Sequence, residues 1–140
     1  MGVFDGIEHV VAEGTSSLRQ YFEPGNYTVA IERVFLHEKR LGGGKLFIVE
    51  TKVIDSDNPH IKSGEQRNWV QSLALPYALP RIKAFIGAAL GDINKTINTE
   101  LCEFIVGVKN PLAHNIVILK CLSKTSKSGK NFISHIWGKA

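Results

Sequence analysis

From Tyr27 to His37 the chain alternates. Tyr27, Val29, Ile31, Arg33 and Phe35 fall on one side, and Thr28, Ala30, Glu32, Val34 and Leu36 on the other. A period of two belongs to a strand. Apolar residues on both sides predict a long strand that bends and serves two parts of a barrel. After a glycine-rich loop (Gly42, Gly43, Gly44), Lys45 to Asp55 reads as a second strand, with Phe47, Val49, Thr51 and Val53 toward the core. The loop Ser56–Ser63 leads to a short third strand, Gly64 to Leu73. There Glu65, Arg67, Trp69 and Gln71 share a side, and so do Gln66, Asn68, Val70 and Ser72. The polar company of Trp69 places its indole outward, on a groove.

The period then changes. Ile82, Phe85, Ile86, Ala89 and Leu90 recur at helical spacing behind Pro80, which suits a first turn, and Gly91 suits a C-terminal cap. Residues 93–107 fit either a second short helix with Thr99 as N-cap or a lead into a strand. Two strands close the chain. His114 to Leu122 has the continuous apolar run of a well-buried strand, and Asn131 to Trp137 alternates around Ile133, His135 and Trp137. The loop between them, Ser123 to Lys130, is a hairpin with a basic tip. Three strands, a helix and a two-strand hairpin make the chain mainly β. The order is that of a five-stranded Greek-key OB-fold barrel with a helix between strands three and four.

Residues 1–24 show no strong period beyond a short helical stretch, Ser17 to Phe22, and Pro24-Gly25-Asn26 breaks the chain. The expected organisation is an N-terminal extension, 1–24, and one domain, 25–140. A 44% hydrophobic content is enough for a core and excludes global disorder. No apolar run approaches a membrane span, and the first residues lack a secretory pattern, so a cytoplasmic protein without a membrane partner is expected. Cys102 and Cys121 are then reduced thiols. With no Cys-x-x-Cys and five scattered histidines, neither a structural metal nor any other cofactor is expected.

Charge sharpens the picture. The net charge is +4, yet residues 1–24 carry Asp5, Glu8, Glu13 and Glu23 against Arg19 alone, which leaves +7 for residues 25–140. No acid follows Glu103. A segregated basic end suits a polyanionic partner. In an OB-fold the loops between strands one and two and between strands four and five border the binding groove. Those loops hold Lys39, Arg40 and Lys45, and Lys124, Lys127 and Lys130. Singly, each is an ordinary solvated lysine or arginine; together they form a track for a phosphate backbone. Trp69 on the groove side would stack a base, with Arg67 beside it. Phe35 and Trp137 are weaker candidates, since both fit a core. Glu50-Thr51-Lys52 has the letters of half a metal-dependent nuclease site, with Glu32, Glu38 or Asp55 as the second acid, but a solvent-facing alternation explains it equally. Ser126 to Lys130 lacks the order of a phosphate loop.

Gly25-Asn26-Tyr27-Thr28-Val29, Gly44 to Glu50, Gly64 to Trp69, and Lys127 to Phe132 with the terminal Trp137 resemble phage-encoded OB-fold single-stranded-DNA-binding proteins. The likeness covers roughly residues 24 to 140. It implies non-catalytic coating and protection of single-stranded DNA in phage replication or recombination inside a host cell. It also allows for contacts with replication or recombination proteins and for a homo-oligomer. Many such proteins end in an acidic tail that recruits partners, whereas this chain ends Trp137-Gly138-Lys139-Ala140, and only the stretch before residue 25 is acidic. The competing reading is a phage interaction or virion module that binds protein through the same barrel.

Overall fold

The structure is a computed structural model that describes residues 21–38, 44–92 and 96–140. Five antiparallel strands form one sheet: β1 (Gly25–Glu38), β2 (Lys45–Ser56), β3 (Gln66–Ser72), β4 (Ile116–Thr125) and β5 (Asn131–Lys139). Two helices, α1 (Ala78–Leu90) and α2 (Thr99–Ile105), lie between β3 and β4 in sequence. The spatial order is β3-β2-β1-β4-β5. Three hairpin-linked strands with a fourth returning beside the first is the Greek-key arrangement. The expected closed barrel is not what the hydrogen bonds make. β3 and β5 are the two edges and share no ladder, so the sheet stays open.

The bend expected in β1 has a local cause. Its register against β2 slips between Thr28 and Val29 and again between Ile31 and Arg33. Each slip adds a residue to one strand, which bends it. The second also reverses which side faces the core. Tyr27, Val29 and Ile31 are buried, and the next buried residue is Val34, while Arg33 and Phe35 turn to the outer face. There the Arg33 guanidinium lies 4.2 Å from the Phe35 ring centre. Asn110, at φ 44°, supports β1 on the side where its pairing with β4 has ended. Its Oδ1 accepts from Val34 N at 2.7 Å, and its Nδ2 donates to Val34 O at 2.6 Å.

Helix α1 buries Ile82, Phe85, Ile86 and Ala89, the stripe read from the sequence. Gly91, at φ 72°, ends it, with Asp92 N donating to Gly87 O at 3.1 Å. The ambiguous segment 93–107 contains a helix. Asn98, not Thr99, caps it, through Oδ1 accepting from Leu101 N at 2.9 Å. The core joins Val29, Ile31, Val49, Val53, Val117 and Leu119 of the sheet to Phe85 and Ile86 of α1. Phe22, ahead of Gly25, belongs to this core, with its ring centre 5.1 Å from that of Tyr27. Tyr21 forms a single parallel bridge with Asn68 on the free edge of β3. The helix expected over Ser17–Phe22 otherwise falls outside the described residues.

β4 departs from the expectation of a strand buried on both sides. Val117, Leu119 and Cys121 are buried, but Ile116 and Ile118 are exposed. Helix α1 packs on one face of the sheet, and no described element covers the other face of β4.

Candidate nucleic-acid interface

The β4–β5 hairpin is built by its own backbone. Ser126 N donates to Lys130 O at 2.8 Å, and Gly129 N to Ser126 O at 2.9 Å. Gly129 supplies the φ of 84° that this turn requires and that other residues resist. Thr125 and Asn131 close the base through Oγ1 and Oδ1, 3.0 Å apart. The turn fixes the tip, and Lys124, Lys127 and Lys130 are all exposed on it. None of the three has an ion-pair partner among the described residues. Their charge is therefore open to an external anion.

The second basic loop stands apart. Lys39 and Arg40 lie outside the described residues. Lys45 is exposed, but it pairs across the sheet with Glu38 at the far end of β1. The hairpin springs from the opposite end, where Cys121 pairs with Gly25. Lys45 and the hairpin lysines are thus separated by the length of β1 rather than gathered in one cluster.

The outward orientation expected for Trp69 and Arg67 is corrected. Trp69 is 4% exposed and Arg67 3%. The cause is register. Trp69 pairs with Val49, Gln71 with Phe47 and Arg67 with Thr51, and these β2 residues form its core face. Paired residues share a face, so β3 must turn the same side inward. The indole enters an aromatic cluster, with ring centres 5.4 Å from Trp137, 5.8 Å from Phe85 and 6.1 Å from Phe47. The polar neighbours are accommodated in part, by two backbone carbonyls and the Glu65 carboxylate, while the buried Arg67 Nε has no partner among the described residues. Arg67 Nη1 donates to Gln66 O at 2.8 Å, Nη2 lies 3.4 Å from Glu65 Oε2, and Gln71 Nε2 donates to Ser72 O at 3.2 Å. His135 completes the cluster from β5, and burial, with a smaller contribution from the Arg81 charge, lowers its pKa to about 4.

An aromatic residue that the sequence pattern did not single out occupies the exposed position. Phe132 is 41% exposed and stands directly opposite Lys124 at the root of the hairpin. The signal was available: alternation that turns Ile133, His135 and Trp137 inward sends Phe132 outward. The nuclease-like Glu50 pairs with Arg33 on one side and Asn68 on the other. Among the described residues no three His, Cys, Asp or Glu side chains converge as metal ligands. Among the described residues no helix is long and apolar enough to cross a membrane. No protein-family model matches the chain, and no curated protein matches it.

Proposed function

We propose that the chain binds single-stranded DNA without cleaving it, on an OB-type sheet whose β4–β5 hairpin is the principal contact. The observation that carries this reading is the pairing of exposed Phe132 with Lys124 on a hairpin that also offers Lys127 and Lys130 and has no acid. A ring gives any base a face to stack on, and the lysines give the adjoining phosphates their counter-charge, which is how sequence-tolerant single-strand binding is built. The Greek-key strand order supports an OB-type sheet, since that fold is a partly open Greek-key barrel. Its role would be coating and protection in phage replication or recombination, as the sequence resemblance implies. A protein-binding module is the second reading, favoured by the exposed isoleucines of β4 and β5.

Anisotropy titration of labelled oligo-dT tests the proposal. Affinity for dT should exceed that for duplex, and Phe132→Ala should weaken it by about 1–3 kcal/mol. In the triple alanine variant of Lys124, Lys127 and Lys130, the slope of log K against log salt should fall by about 0.7 for each phosphate no longer neutralised. Absence of dT binding at low salt overturns the reading. An unchanged slope removes the hairpin from it.

A further inference from the structure

The outer face of the sheet places a column of large residues beside a column of small ones. Across β4 and β1, Ile116 pairs with Ala30, Ile118 with Thr28 and Lys120 with Asn26. Ile116 and Ile118 are 48% and 43% exposed, and Ile136, opposite Lys120 on β5, is 48% exposed. Opposite Ile118 on β5 stands Gly138, which adds no side chain. The result is a ridge along β4 flanked by a furrow along β1.

From this we infer that a second copy of the chain docks here, with the two outer faces packed across a two-fold axis parallel to the strands, between β1 and β4. Such an axis sets β4 of each copy over β1 of the other. Ile116 then meets Ala30, Ile118 meets Thr28 and Lys120 meets Asn26 of the other copy, large against small at every level, which is the condition for two layers to interdigitate. A two-fold contact must be self-complementary, and adjacent large and small columns in register meet that demand.

Charge agrees with the same axis. Asp57 is tied to Asn26 by two hydrogen bonds, from Asn26 N at 2.8 Å and from Asn26 Nδ2 at 2.6 Å. These bonds hold its pKa below the usual carboxylate value, so the anion persists where Lys120 of the second copy arrives. Aliphatic isoleucines offer no ring for a base, and Phe132, on the same face as Ile136, stands at its hairpin end, opposite Lys124. Four strands at about 4.8 Å spacing and five residues at about 3.3 Å give a flat footprint on the order of 300 Å². That is well below the roughly 800 Å² per partner of a standard specific interface and sets the expectation of a weak, transient dimer.

Sedimentation equilibrium of the full chain without DNA, from about 1 to 100 μM, tests the inference. A reversible monomer–dimer equilibrium is expected. Ile118→Glu should leave the far-UV spectrum and melting temperature unchanged and raise the dimer Kd by about tenfold or more. Lys120→Glu, at an exposed position that leaves the ridge intact, should also weaken the dimer, since it would face Asp57; it carries the test if Ile118→Glu fails to fold. A wild-type chain that stays monomeric at 100 μM overturns the inference, and so does a dimer indifferent to both variants. A monomer whose oligo-dT affinity falls in Ile118→Glu overturns it in favour of nucleic acid on this face. Because dimerisation is read without DNA, the outcome is independent of the hairpin reading.

Discussion

Replacing Trp69 with alanine should damage the fold and not a binding surface. The indole is 4% exposed and has three aromatic rings with centres within 6.1 Å, from Phe47, Phe85 and Trp137. Removing a buried tryptophan costs about 3–5 kcal/mol, the sum of lost transfer energy and the cavity left behind. Here the cavity cannot collapse easily, because its walls are rings from β2, β5 and α1 that are held by their own elements. At about 3–4 °C per kcal/mol for a chain of this size, the melting temperature should fall by roughly 10–20 °C. In urea the midpoint should fall by about 2 M for an m-value near 2 kcal/mol/M. Trp69→Phe keeps a ring in the cluster and should recover part of the loss. Thermal and urea unfolding followed by far-UV circular dichroism measure both variants. In a Trp137→Phe background, Trp69 emission should be that of a buried indole and should not respond to oligo-dT. If Trp69→Ala melts with the wild type and Trp69 fluorescence is quenched by dT, the inward assignment of this β3 face is refuted.

Two further outcomes follow from groups whose partners are defined. His135 has a folded pKa of about 4, below its unfolded value of 6.5, so the unfolded chain binds its proton first on acidification. Its contribution to stability is complete above pH 6.5 and is lost as pH falls toward 4. Between pH 7.5 and pH 5 the loss is at most about 2 kcal/mol, read as the difference in urea stability between wild type and His135→Phe; parallel profiles for the two would refute it. Asn110 holds both backbone groups of Val34 through its side chain. Asn110→Ala should cost about 1–3 kcal/mol in urea unfolding, and Asn110→Gly, which relieves the positive φ but not the lost bonds, should cost nearly as much. Full stability in the glycine variant would assign the role to the backbone alone.

Five strands and the α1 stripe are legible in the sequence because they rest on local periodicity. Alternation in β2 and the spacing of Ile82, Phe85, Ile86 and Ala89 depend on nothing outside their own segments. Non-local relations are less legible. The bend of β1 shows in the sequence as apolar residues on both sides, yet the cause, two register slips against β2, exists only once the strands are paired. The closed barrel fails for the same reason. Closure is a relation between the β3 and β5 edges, and no residue pattern within either strand encodes it. The run Ile116 to Leu119 reads as buried on both sides because hydrophobicity reports what a residue tolerates, whereas exposure depends on whether another element covers that face.

The site divides along the same line. The basic hairpin is readable because a turn, its glycine and its lysines are contiguous, and contiguity needs no register. Trp69 is misplaced by its own strand, which gives the wrong cue. Arg67 and Gln71 share its side, and polar residues on a strand side ordinarily mean water. What overrides the cue is pairing: β2 turns Phe47, Val49 and Thr51 inward, and β3 must follow. The cost of taking Arg67 and Gln71 along is reduced because carbonyls of the same strand accept from Arg67 Nη1 and Gln71 Nε2, although the buried Arg67 Nε has no partner among the described residues, so no distant polar partner appears in the sequence to announce them. Phe132 is the converse case. An aromatic beside lysines in a strand of inward aromatics looks like one more core ring, but it is one position out of phase with Ile133, His135 and Trp137. In an open sheet one position separates a residue that packs the core from one that can meet a ligand. The phase of a strand against its neighbour therefore decides which aromatic residues are available for function, and that phase is a property of the pair.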